Sequence, residues 1–190
     1  MTALVALAQA LGGDVSVRIH PGTGPRLRDA LQAAMIDALL RIVNDRWRCS
    51  LEVPVFRPSR GVIDIVLDDR ESPIIVAGEA ESDLRRLDAQ TRWANEKAAS
   101  LPSSDLWQFA AADRPPEISR LLILRSTSRT RQIARDHASL LSTAYPAPAG
   151  DAFEALTTPD SQWPGPSILW VSLDGSATVL DRPPRGVPLP

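Results

Sequence analysis

The chain has 190 residues, 44% hydrophobic and 23% charged, and its 21 basic and 23 acidic side chains give a net charge of −2. This composition suits one generous globular domain and excludes collagen-like, mucin-like and wholly disordered chains. One cysteine, Cys49, and two histidines, His20 and His137, exclude an internal disulfide and a Cys/His zinc site.

No apolar run approaches the ~18 residues of a membrane span, and Met1-Thr2-Ala3-Leu4 lacks the basic start of a secretory signal. The expected location is therefore the cytoplasm, with no membrane partner. Lys97 is the only lysine, so arginine supplies the rest of the positive charge. Arginine suits forked contacts with phosphate and carboxylate, and GC-rich codon usage produces the same bias.

Residues 2–11 read as a short helix closed by Gly12-Gly13, and Val15, Val17 and Ile19 alternate as a strand. The turn at 20–25 lacks the Gly-Lys-Ser/Thr ending of a phosphate-binding loop. From about Pro25 to Asp45, Leu27, Leu31, Ala34, Met35, Ala38 and Ile42 recur at helical spacing and form a core stripe. Leu51, Val53 and Val55 then mark a strand, 62–67 a second and 74–77 a third, joined by the turns 57–61 and 68–73.

Ser82 reads as the N-cap of a helix that Pro102 ends, and 103–117 as a loop carrying Trp107 and Phe109. Residues 121–124 read as a buried strand, 127–143 as a helix, and 167–173 with 177–180 as a hairpin through Asp174-Gly175. Nine of the 17 prolines follow residue 145, and the end, 182–190, is expected to be a mobile tail. The order predicts an α/β fold in which helices flank a mixed central sheet. It divides into an extension over 1–24, a domain over 25–181 and the tail.

The chemistry points to carboxylates placed where strands are otherwise apolar. Asp64 interrupts Val62-Ile63-Asp64-Ile65-Val66-Leu67, and Glu79 and Glu81 close the following strand. Ionised groups there are costly unless paired. Residues 79 and 81 share a face in extended conformation, and the short turn makes the two strands antiparallel neighbours. Three convergent carboxylates repel, which a hard divalent cation such as Mg²⁺ resolves.

Gly61-Val62-Ile63-Asp64, fourteen intervening residues, then Glu79-Ala80-Glu81 before a helix resembles the PD-(D/E)XK nuclease superfamily, over roughly residues 25–140. Ile63 stands in place of the motif's proline and Glu81 in place of its lysine. The resemblance implies a restriction-endonuclease-like core, metal-dependent phosphodiester hydrolysis on DNA with Mg²⁺ or Mn²⁺, and ligation of the metal by Asp64 and Glu79. Glu81 would orient or deprotonate the attacking water. Ala6 to Gly13 and Leu84-Arg85-Arg86-Leu87 with Gln90, Arg92 and Trp93 are similar to bacterial proteins in which a repressor-type helix-turn-helix precedes such a domain. The chain would then be a shortened relative or a fragment.

Glu52 is a further candidate metal ligand, though a solvent-facing strand residue is the simpler reading, and Asp37 reads as an exposed helix carboxylate. Lys97 lies ~24 Å from Glu81 along a continuous helix and is assigned to the surface. Arg85, Arg86, Arg92, Arg129 and Arg131 are candidate nucleic-acid contacts, within a basic stretch that also holds Arg120, Arg125 and Arg135. Trp93, Trp107, Trp163 and Trp170 read as packing residues. The histidines lack triad partners. The partners implied are DNA and a second copy of the chain; the alternative function is a catalytically inactive nuclease-fold module that binds DNA or a regulatory protein in defence or toxin–antitoxin control.

Overall fold

The computed structural model describes residues 26–107 and 115–190. The extension expected over 1–24 and Phe109 lie outside the described residues. The first described helix, α1 (Arg26–Leu40), ends five residues before the sequence reading places its end. Met35 and Ala38 of the expected stripe are buried on its inner face, together with Leu39, which the stripe did not include.

Three strands follow: β1 (Trp47–Val55), β2 (Gly61–Asp69) and β3 (Ile74–Glu81). They pair antiparallel in succession, β2 with β3 through Ile65↔Gly78 and Asp68↔Ile75. After α2 (Leu87–Ala99) and a single 3₁₀ turn (Leu101–Ser103), β4 (Glu117–Arg125) lies parallel to β3. Two short helices, α3 (Ser128–Asp136) and α4 (Ala138–Ala144), replace the single helix expected over 127–143. Thr127 caps the first by accepting the Thr130 N–H, and the chain breaks at His137.

A helix not read from the sequence, α5 (Ala149–Thr157), precedes β5 (Ser167–Ser172), parallel to β4, and β6 (Thr178–Leu180), antiparallel to β5. The result is a mixed six-stranded sheet in the order β1-β2-β3-β4-β5-β6 with helices on both faces. β4 and β5 are apolar on both sides because they lie between those layers. Leu121, Ile123, Leu169 and Val171 pack with α1 and α5, whereas Leu122, Leu124, Ile168 and Trp170 pack with α3 and α4.

Trp163 and Trp170 are buried, as expected of packing residues. Trp163 meets Trp47 edge to face at 5.9 Å and donates to Ser119 Oγ at 2.8 Å. Trp93 is not a packing residue: it is 52% exposed. The segment 182–190, expected to be mobile, lies against the body, with Val187 buried beside Tyr145's cluster and the Pro190 carbonyl accepting the Ala149 N–H. Among the described residues no helix is long and apolar enough to cross a membrane.

One buried ion pair fixes the far end of the β1–β2 ribbon. Arg46 donates Nε and Nη2 to the two oxygens of Asp69 at 2.8 and 2.5 Å, and its Nη1 donates to the carbonyls of Pro159 and Ser161 at 2.7 Å each. Burial pushes the Asp69 carboxyl up, but hydrogen bonds from Arg46, Ser72 and the Glu71 N–H outweigh it and hold the group below the ordinary carboxylate range. The pair's contribution is therefore complete above Asp69's unfolded pKa, about 4, and is lost as pH falls through the lower folded value. Asp69→Asn is expected to remove about 3–5 kcal/mol at neutral pH, because Arg46 stays buried without its counterion. Denaturant unfolding from pH 7 to 2 checks this: the variant should lack the part of the acid-induced loss that Asp69 causes in the parent.

Candidate active site

Burial patterns along β1 and β2 change together at one level. Trp47 on β1 and Ile65 and Leu67 on β2 belong to the core under α1 and α5, whereas Val53, Val55 and Ile63, of the same parity, belong to the core under α2. Glu52 sits at the crossing with φ of 50°, in the left-handed region that a non-glycine residue rarely occupies. The register passes from Leu51↔Ile65 to Val53↔Ile63, so Glu52 lies at the level of Asp64. Backbone strain of this kind gathers at functional sites.

At the same level β2 parts from β3. Gly78 is the last β3 residue paired to β2, and a Cβ there would stand 2.6 Å from Ile65 Cγ2, so only glycine allows the strands to close up just before the fork. Past it, the Asp64 carboxylate replaces the backbone ladder by accepting the Ala80 N–H at 2.8 Å. Gln32 of α1 donates its side-chain amide to the Ala80 carbonyl. Asp64, Glu52, Asp37 and Gln32 line a cleft of about 360 Å³ between α1 and the β1–β2 ribbon. Glu52 and Asp37 are exposed, as the simpler readings expected, yet they share this cleft with Asp64.

Glu79 and Glu81 both meet α2, in agreement with their two-residue spacing. Gln90 gathers the strand end and the helix start: its amide donates to Glu81 Oε2 at 2.6 Å and to the Asp83 carbonyl at 3.3 Å, and its oxygen accepts the N–H groups of Arg85 and Arg86. The helix expected from Ser82 does not begin there. Residues 82–86 reverse the chain, burying Leu84, and the helix starts at Leu87.

That reversal corrects the placement of Lys97. The ~24 Å separation from Glu81 holds only for a continuous helix; here α2 runs back along the sheet. The Lys97 ammonium lies on Glu79 Oε2 and donates to the Val62 carbonyl at 2.9 Å, with side-chain exposures of 8% for Lys97 and 10% for Glu79. Gly61 makes room for its stem, since a Cβ there would lie 2.9 Å from Lys97 Cδ. The sequence held one signal for this residue: it is the single lysine in a chain whose other Lys/Arg cations are all arginines.

Burial pushes the Glu79 carboxyl up to about 8, against the pull of Lys97 and with Asp64 and Glu81 adding repulsion. Its Oε1 is buried with no hydrogen-bond partner. Tyr145 is also buried nearby; burial pushes its hydroxyl up to about 12, Arg120 opposes this, and Glu79 and Glu81 add to it. Arg120, stacked on Tyr145 and bonded to Asn95 and the Ala144 carbonyl, is occupied within the fold. Arg131 leans on Ser126 Oγ, Arg85 pairs with Asp83 at 2.6 Å, and Arg129 approaches Asp83 at 3.7 Å. His137 is exposed.

Among the described residues no group of three or more His, Cys, Asp or Glu side chains is placed to hold a metal ion. The three carboxylates expected to converge therefore do not: Asp64 opens to the α1 cleft, Glu79 is enclosed beneath α2, and Glu81 borders a second groove along α2, because Asp64 sits where β2 parts from β3 while Glu79 and Glu81 stay on the α2 side. No protein-family model, curated protein or solved structure matches the chain. Above pH 8, where Glu79 is ionised, Lys97→Met should cost about 3–5 kcal/mol by leaving Glu79 buried and unpaired, and adding Glu79→Gln should recover most of that loss; near neutral pH, where Glu79 takes up a proton, the cost should be smaller. Chemical denaturation of the parent, both single variants and the double variant measures this coupling.

Proposed function

We propose that this chain is a metal-dependent phosphodiesterase acting on DNA, with Asp64, Glu79 and Lys97 as its site on a PD-(D/E)XK-like core. The observation that carries the reading is the Lys97 ammonium on Glu79 beside the fork between β2 and β3. It supplies the cation that the Glu-x-Glu sequence lacks, from a helix instead of from position 81. The succession of helix, three antiparallel strands, helix and parallel strand supports the same reading.

Asp64 and Glu79 would hold Mg²⁺ or Mn²⁺, which binds to one or two carboxylates when water and a substrate phosphate complete the shell. Glu79 Oε1, buried without a partner, fits such a ligand. Such an ion, if held there, would supply positive charge for the phosphate and make water a better nucleophile at neutral pH. Lys97 neutralises Glu79 and offers fixed positive charge where the phosphate's negative charge grows. Glu81, held by Gln90, keeps the helix start against the strand end. Glu52 faces the Asp64 cleft from its strained position and is the residue best placed to add a carboxylate.

A second reading, a nuclease-fold module that binds without cleaving, is favoured by one observation: each site carboxylate already has a protein partner. Incubating the purified chain with single- and double-stranded DNA and Mg²⁺ or Mn²⁺ separates the two. Cleavage should stop with chelator and fall at least about 100-fold in Asp64→Asn, Glu79→Gln and Lys97→Met. Lys97→Arg should not restore it, because a planar, delocalised guanidinium does not place a compact point charge on Glu79 as the ammonium does. DNA binding with no metal-dependent cleavage would select the second reading, and cleavage unchanged in Asp64→Asn would remove this site.

A further inference from the structure

Among the described tryptophans, Trp47, Trp163 and Trp170 are buried, Trp107 is half-buried, and Trp93 alone is mostly exposed. It stands on α2 three residues after Gln90 and four before Lys97, beside the helix face that meets the carboxylates. Trp93, Arg86 and Arg92 line a groove of about 350 Å³ that opens at Glu81 and includes Gln90. One end of this groove is thus two residues from Glu79.

The charges along the groove are partly spent. Arg85 is tied to Asp83, Arg92 has Glu96 at 3.9 Å, and Asp88 lies on the neighbouring face. Arg86 has no salt bridge among the described residues. A surface that joins an exposed indole to guanidinium groups suits a ligand that is flat and apolar on one part and anionic on the next. A nucleobase followed by its phosphate has that alternation. In a duplex both faces of an internal base are covered by its neighbours, whereas an unpaired base has a face to give.

We infer that the groove along α2 is a binding track for single-stranded DNA, in which Trp93 stacks a base while Arg86 and Arg92 receive the flanking phosphates and lead the strand to the carboxylates. This rests on the phosphodiesterase reading and narrows its substrate to DNA with unpaired bases. Trp93 lies one helical turn, roughly 6 Å, before Lys97, so the stacked base would hold the strand close to the fork.

The test measures binding without cleavage. Fluorescence anisotropy of a labelled oligo-dT strand, and of the same strand annealed to oligo-dA, is recorded with the full chain in EDTA. The single strand should bind more tightly than the duplex. Trp93→Ala should weaken single-strand binding about 5- to 150-fold with an unchanged unfolding midpoint, while Trp93→Phe retains most of it. Arg86→Ala should reduce the salt dependence of binding. Equal or tighter duplex binding, or single-strand binding unchanged in Trp93→Ala, overturns the inference. So does a Trp93→Ala variant that alters sedimentation of the free chain but not DNA binding, since the face would then join copies of the protein. Tight single-strand binding without Mg²⁺-dependent cleavage keeps the track and overturns the phosphodiesterase reading instead.

Discussion

An ammonium group cannot be buried in this protein without a carboxylate to receive it, and the meeting of Lys97 with Glu79 constrains much around it. Glu79 must leave β3 on the α2 side, α2 must run back along the sheet, and the start of β2 must carry a glycine where the lysine stem passes. Burial of Leu84 in the reversing segment and the four hydrogen bonds of Gln90 fix where the helix begins. Its other end is anchored to the β1–β2 turn: Ser100 Oγ accepts the Ser59 N–H, and Ser103 Oγ accepts those of Phe56 and Arg57. The pair is thus set between two fastened helix ends.

The same region shows how a sheet can be opened locally without losing its hydrogen bonds. Where β2 leaves β3, the side chain of Asp64 takes over one backbone N–H and Gln32 the adjoining carbonyl, so the fork leaves Ala80 satisfied on both sides. β3 stays in register with β4 through Glu81↔Leu124. The part of the sheet that stays paired to β4 thereby carries Glu79 and Glu81, and the β1–β2 ribbon carries Asp64 and Glu52. Strain at Glu52 and an enclosed, unpartnered Glu79 oxygen occur within this one fork. Away from the fork, the Arg46–Asp69 pair at the ribbon's opposite end and the apolar layers over β4 and β5 also hold the fold.

Strands, their antiparallel succession and the shared face of residues 79 and 81 were legible in the sequence, because alternation and short turns are local properties. The stripe of α1 was legible for the same reason. Three features were not. Helix α5 was hidden by flanking prolines and small residues; its alanines 149, 152 and 155 gain their meaning from the sheet that covers them. The break at His137 and the reversal over 82–86 were hidden because helical periodicity continues across both. Tryptophans give no sign in sequence of which one faces solvent, and Trp93 was therefore read with the buried ones.

By itself the sequence determined the α/β class, the acidic residues that interrupt apolar strands, and the singular status of Lys97 among arginines. Tertiary structure decided which cation meets which carboxylate, and that Asp64 and Glu79 approach from different sides of one fork. The physical reason is distance along the chain: periodicity reports which face a residue occupies within its own element. The route of the segment between two elements is set by what it can bury, and here Leu84 and Leu87 chose the route that returned α2 to the sheet.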